Sequence, residues 1–175
     1  MTISDISLQP PISSEQIDAY MADLPEGTSQ ERKNIVQFAL ESVGRIPYYW
    51  GGKPVTKGYL GNMFGTVTEP DHAGRNRKGL DCSGWINWVY WSVTGECPTQ
   101  EGTSGLIRCG TGIPRSQLQP GDIVVRTGSN AHVIMFLNWT ADGKMRCVHE
   151  TSGAFNNVVV SEMDANWKYC RNLLD

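Results

Sequence analysis

Leu80-Asp81-Cys82-Ser83-Gly84-Trp85, continuing through Ile86-Asn-Trp-Val-Tyr-Trp-Ser-Val93 to Gly95, decides how the chain is read. Asp81 is an N-cap residue, able to accept from the orphan N–H groups of a first helical turn. Trp85, Ile86, Val89 and Val93 recur at helical spacing, and Gly95 supplies a left-handed stop. A cysteine is thereby set in the first turn, where unpaired N–H groups and the helix dipole favour a thiolate. Gly84 removes a side chain two residues on, leaving room for a substrate backbone to approach the sulfur.

Upstream, the capping box of Ser13 with Gln16 opens a short helix from Ser14 to about Leu24, within a polar leader of residues 1–28. A second box, Thr28 with Glu31, opens a longer helix in which Ile35, Phe38, Ala39 and Val43 share a face before Gly44. Between Gly52 and Asp81 the chain has several glycines and no periodicity, and reads as one long irregular loop. Downstream the texture turns to β. After the turn Gln119-Pro-Gly-Asp122, strands are expected at 123–126, 131–139, 144–151, 157–162 and 167–173, with a hairpin at Ala141-Asp-Gly143. The class is α+β, with helices packed on an antiparallel sheet of about five strands.

The 175 residues suit one domain. Fifteen Lys plus Arg against eighteen Asp plus Glu give a net charge of −3, which argues against a broadly basic nucleic-acid binder. Charged residues make 19% of the chain, below the roughly 25% of typical globular proteins, so a charge-driven disordered chain is excluded too. No apolar run approaches the roughly 20 residues that span a bilayer, and the first residues lack the basic and apolar regions of a signal peptide.

A thiolate that expels an amine needs a proton partner, usually His. His132 opens one expected strand and His149 lies on the next, and pairing about residues 141–143 makes them near neighbours. His149 is then placed to bond the His132 ring and fix its tautomer. His72, beside Asp71, has no second ligand at metal spacing, and the five cysteines contain no Cys-x-x-Cys pair, so neither a metal nor another cofactor is expected.

Five ordered segments carry a family resemblance: Ile46-Pro-Tyr-Tyr-Trp-Gly-Gly52, Leu80-Asp-Cys-Ser-Gly-Trp85, Leu118-Gln-Pro-Gly-Asp122, Ala131-His-Val-Ile-Met135, and the strand reaching Val148-His149. Together they resemble the NlpC-type cell-wall cysteine peptidases from about residue 29 to the C-terminus. The resemblance implies a papain-like catalytic domain over 29–175, with Cys82 as nucleophile, His132 as general base and acid, and His149 as the orienting third member. It places Tyr48 near the nucleophile, with Trp50 in the same motif. Asp81 and Ser83 match positions lining the site that recognises the amino-terminal part of the substrate. The implied substrate is the peptidoglycan stem peptide or muropeptide, cut between γ-D-glutamate and the following diamino acid by a monomeric enzyme that is secreted or wall-associated, a cytoplasmic form being the alternative left by the missing signal peptide. An amidase of the sugar-to-peptide bond and a non-catalytic peptidoglycan-binding module are the alternatives.

With Cys82 as the free nucleophile, the other four cysteines admit three pairings. Cys97 with Cys109 and Cys147 with Cys170 suit an extracytoplasmic enzyme, and four free thiols are the other option. The family's short spacer before the nucleophile is here an insertion of about residues 53–80. It carries Lys53, Lys57, Arg75, Arg77 and Lys78 against Glu69 and Asp71. It is expected to wall the groove and attract stem-peptide carboxylates.

Overall fold

The computed structural model describes residues 9–54 and 79–174. His72 and most of the insertion, with Lys57, Arg75, Arg77 and Lys78, lie outside the described residues, as does the expectation placed on them.

The helical half comes first: α1 (Ser14–Ala22), α2 (Gln30–Glu41), α3 (Cys82–Thr94) and a single turn, α4 (Thr103–Leu106). The strands follow as β1 (Thr111–Gly112), β2 (Ile123–Arg126), β3 (His132–Trp139), β4 (Met145–Thr151), β5 (Asn157–Met163) and β6 (Tyr169–Asn172). They form one antiparallel sheet in the order β1-β6-β2-β3-β4-β5. The sequence anticipated β2 to β6; the sixth strand, β1, is a two-residue edge with no periodicity to betray it. The Ser13–Gln16 capping box forms. The cap of α2 is Ser29, whose hydroxyl accepts from the Arg32 N–H, rather than Thr28 one residue earlier. Thr28 instead donates its hydroxyl to the Pro25 carbonyl.

Helices cover one face of the sheet. Ile35, Val36, Ala39 and Leu40 of α2 and Trp85, Ile86 and Val89 of α3 bury against Val133, Met135, Leu137, Val148 and Val158. The other face has its own core of Leu118, Val124, Ile134, Phe136, Cys147 and Cys170, closed by Trp167 and Met163. Because both faces are covered, β3 reads as a continuous apolar run rather than an alternating one. The leader packs on the domain: Ile12 is buried, its N–H donates to the Val43 carbonyl, and Ile17, Tyr20 and Met21 lie against the core.

The Pro-Gly-Asp turn is a tie between layers. Arg32 of α2 donates from Nη1 to Asp122 Oδ1 at 2.8 Å and to the Pro120 carbonyl at 2.9 Å, with both charged side chains buried. Asp122 Oδ2 accepts from the Gln119 N–H at 2.8 Å. All five cysteines are free thiols, so neither expected disulfide forms. Cys97 and Cys109 instead donate to the backbone carbonyls of Thr99 and of Pro98 and Gly105.

Candidate active site

Two glycine-bearing segments dovetail to present the cysteine. Tyr48 and Leu80 form a parallel bridge, the Tyr49 N–H reaches the Leu80 carbonyl, and the Asp81 N–H reaches that of Gly52. The approach is close enough that a Cβ on Gly84 would lie 2.2 Å from the Gly52 carbonyl oxygen. Gly84 therefore makes room for the chain's own backbone, correcting the expectation that it admits a substrate.

Asp81 caps α3 as expected, its Oδ1 accepting from the Gly84 N–H at 2.7 Å and the Ser83 hydroxyl at 3.2 Å. Its Oδ2 takes the Lys53 ammonium at 2.6 Å, and the same ammonium donates to Ser83 Oγ at 3.0 Å. Asp81 and Ser83, expected to line a substrate subsite, are thus engaged by an ammonium of this chain.

Cys82 packs with the helical layer, whereas His132 and His149 lie on the opposite face of the sheet, sharing it with Ile134 and Cys147. The β3–β4 ladder ends short of both histidines. The β3–β4 ladder runs from Trp139 opposite Met145 to Met135 opposite Val148, with a bulge between Phe136 and Asn138, and its recorded pairs stop there. Meanwhile β3 stays paired to β2 as far as His132, and β4 to β5 as far as Thr151. Across the parted strands His132 Nε2 meets His149 Nδ1 at 2.8 Å, with the rings edge to face. The Val133 N–H, next to His132 in the chain, favours a negative charge on the Cys82 sulfur. His149 Nε2 meets Ser161 Oγ of β5 at 3.0 Å.

Burial sets the protonation states. It pushes the Cys82 thiol up to about 11, with the Asp81 carboxylate adding to the shift; the Val133 and Ser83 N–H groups and Lys53 pull the other way. The thiolate expected from a helix start is outweighed because the sulfur is withdrawn from water. Burial lowers His132 to about 4, helped by the Arg126 charge, and lowers His149 to about 3, helped by His132. Tyr48 is raised to about 12 by burial and by the negative charges of Cys82, Asp81 and Glu150.

Both histidines line an open cleft of about 750 Å³ together with Tyr48, Arg126 and Trp167. Trp50 stands at its edge with 83% of its surface exposed, so it is no core residue.

Sequence reading missed Ser161, Glu150 and Arg126 here. Ser161 was discoverable, since strand alternation places it on the His149 face. Glu150 was not: it shares the helix-covered face with Val158, is fully buried, and neither carboxyl oxygen has a hydrogen-bond partner among the described residues. Burial and the Asp81 charge raise its carboxyl well above the usual range. Among the described residues no three His, Cys, Asp or Glu side chains converge as metal ligands, and no helix is long and apolar enough to cross a membrane.

The sequence profile of the NlpC/P60 family matches residues 44–172. The chain belongs to the NlpC/P60 family. Its fold is that of solved NlpC/P60 proteins. The peptidoglycan hydrolase RipB from Mycobacterium tuberculosis aligns over 89% of this chain and 71% of its own, at 21% identity and a TM-score of 0.59. The NlpC/P60 domain of the peptidoglycan hydrolase SagA aligns over 81% and 97%, at 23% identity and a TM-score of 0.55. RipD from Mycobacterium tuberculosis, described as a non-catalytic NlpC/P60 protein adapted to peptidoglycan binding, aligns over 83% and 99%, at 20% identity and a TM-score of 0.58. No curated protein matches the sequence. At these identities the likeness carries the papain-like α+β fold and leaves the chemistry to the residues.

Proposed function

We propose that the chain is a cysteine endopeptidase that hydrolyses peptidoglycan stem peptides between γ-D-glutamate and the following diamino acid. The observation that supports this most is the 2.8 Å His132–His149 pair, open to the cleft and adjoining the backbone N–H that faces Cys82. With thiol and imidazoles neutral at rest, the Cys82 proton passes to His132 as the sulfur attacks the amide carbonyl. The sulfur–carbon bond forms and the carbonyl electron pair moves to oxygen. That oxyanion meets N–H groups at the start of α3, including that of Cys82, which have no helical acceptor. His132 then returns the proton to the leaving amine as the carbon–nitrogen bond breaks. Water, deprotonated by His132, hydrolyses the resulting thioester and regenerates the thiol.

His149 acts by orientation in this scheme. When its Nδ1 accepts from His132 Nε2–H, Nδ1 of His132 is left as the basic atom, and His149 Nε2–H donates to Ser161. Tyr48 and Trp50 contact substrate in the cleft, and Asp81 and Ser83 take its amino-terminal part once Lys53 yields. Residues 29–175 form the catalytic domain, 1–28 its leader, and about 53–80 an insertion that precedes the nucleophile in the chain. The working place is the cell wall and the enzyme acts as a monomer.

One observation favours a second reading, a peptidoglycan-binding module without turnover: Cys82 is buried, with its thiol raised. Digestion of defined muropeptides by the wild-type chain and by Cys82→Ala, with products weighed, decides between them. Endopeptidase action yields fragments split after γ-D-glutamate, and Cys82→Ala yields none. Fragments split between sugar and peptide indicate the amidase instead, and intact muropeptides with wild type indicate the binding module.

A further inference from the structure

The cleft that receives the two histidines has one fixed charge among its described lining side chains, and it is positive. Arg126 closes β2 and is the cross-strand partner of His132, so the two side chains rise side by side from the same face. Its guanidinium is held in place from two directions. Nε donates to the Asn130 carbonyl at 2.6 Å, and the planar group lies over the Trp167 ring at 4.5 Å. Trp167 in turn stands edge-on to His132, 5.8 Å between centroids. Nη1 and Nη2 have no hydrogen-bond or ion-pair partner among the described residues.

A guanidinium stacked and tethered through Nε, with its two terminal nitrogens left open toward a cleft, is a preformed fork for a carboxylate. Its side-chain freedom is already spent, so little ordering remains to oppose binding. We propose that Arg126 is the specificity residue of this cleft, which selects peptides carrying a free carboxylate next to the scissile amide over the same peptides with that carboxylate amidated. The proposal rests on the reading that Cys82 cuts a stem peptide, because a γ-linked glutamate leaves its α-carboxylate free beside the bond that is cut.

The position of Arg126 gives the contact a second consequence. His132 is faced by Arg126 from β2, by His149 from β4 and by Trp167 from the segment before β6, and the Val133 N–H next to it in the chain bonds the Cys82 sulfur. The Arg126 charge opposes protonation of His132. A substrate carboxylate seated on the fork cancels that charge and makes His132 a better base in the occupied cleft than in the empty one. An amidated substrate leaves the charge in place.

The test uses two stem peptides that differ only in having a glutamyl α-carboxylate or the corresponding primary amide. Binding to the Cys82→Ala chain is measured by calorimetry and cleavage by the wild-type chain is measured by product mass. The acid is expected to bind about 10- to 100-fold more tightly than the amide, the worth of a charge-assisted fork. Arg126→Gln brings that ratio to about one, and Arg126→Lys, which keeps charge without the fork, restores part of it. In the wild-type chain the acidic limb of kcat/KM for the acid peptide shifts to higher pH with Arg126→Gln, as the His132 imidazole is relieved of its cationic neighbour. Equal binding of acid and amide, binding of neither, or a preference that survives Arg126→Gln overturns the proposal. Tighter binding of the acid by Cys82→Ala, with both peptides left intact by the wild-type chain, upholds the role of Arg126 and overturns the peptidase reading instead.

Discussion

Where α2 meets β2, Asp122 is fully buried and saturated: Arg32 donates to one oxygen, the Gln119 N–H to the other, and Arg32 also satisfies the Pro120 carbonyl. Where α3 begins against the parted ends of β3 and β4, Glu150 is just as buried, yet its oxygens have no partner among the described residues. Around it burial raises the Cys82 thiol and lowers both imidazoles. At the first junction charge survives burial because a counter-charge touches it. At the second, burial drives each group toward its neutral form. One junction holds the fold in place; the other holds groups whose protonation changes when a substrate, rather than the protein, supplies the partner.

The contrast breaks if the two junctions respond alike to truncation. His132→Ala is expected to lower kcat/KM on a defined muropeptide by about 10⁴-fold or more, while the thermal midpoint stays within a few degrees of the wild type. A loss of fold as large as the loss of activity makes the histidine pair structural and removes the distinction. Arg32→Ala does the reverse. It removes the guanidinium that touches the buried Asp122 carboxylate, costing about 3–5 kcal/mol in urea denaturation, and replacing both partners by apolar residues recovers much of that. A cost under about 1 kcal/mol for Arg32→Ala demotes the pair to a surface-like contact.

The sequence made most of the first junction's frame legible and only part of the second. Caps and periodicity found α1, α2 and α3 because Ser13, Asp81 and Gly95 act locally, and the hairpin about 141–143 followed from turn chemistry. The His132–His149 pairing was readable for the same reason, since one hairpin fixes both. Burial was not readable. The helix-start thiol looked set for a thiolate until the fold withdrew it from water, and Glu150 looked like an ordinary strand residue until β4 was seen covered by α3. Arg126 escaped notice because its role depends on a cross-strand partner and on Trp167, which is remote in sequence. The bulge at Phe136 and Asn138 and the parting of β3 from β4 are backbone events with no residue signature.

Glu150 offers a way to sharpen the comparison through pH. Burial raises its carboxyl in the folded chain above the unfolded value, so the folded chain keeps a proton that the unfolded chain has released once pH exceeds about 4.3. Its contribution to stability is therefore highest below that pH and declines as pH rises toward the folded value. The lowered histidines work in the opposite sense: stability falls as pH drops from about 6.5 toward 4 for His132 and 3 for His149. Glu150→Gln leaves the histidines untouched, so the difference from wild type isolates the carboxyl. The variant is expected to be the more stable of the two at pH 7.5, with the gap closing as pH approaches about 4.3. A gap that does not depend on pH means the carboxyl is charged and satisfied in the folded chain, which makes Glu150 a second Asp122.

Ser161 tests the smallest difference between the junctions, the last hydrogen bond of the polar chain that starts at His132. For His132 Nδ1 to act as base, its Nε2–H donates to His149 Nδ1, and the His149 proton then sits on Nε2 and requires the Ser161 oxygen as acceptor. Ser161→Ala leaves that buried N–H without its acceptor and lets the opposite tautomer of His149 compete, in which Nδ1–H meets Nε2 of His132 and sends the His132 proton to the wrong nitrogen. One neutral hydrogen bond is worth about 1 kcal/mol, so kcat is expected to fall about fivefold with KM unchanged, because Ser161 does not line the cleft. Ser161→Thr keeps an oxygen acceptor and is expected to restore most of the rate. A change in KM with kcat unaltered places Ser161 in the packing of β5 against β4, and the orienting chain then ends at His149.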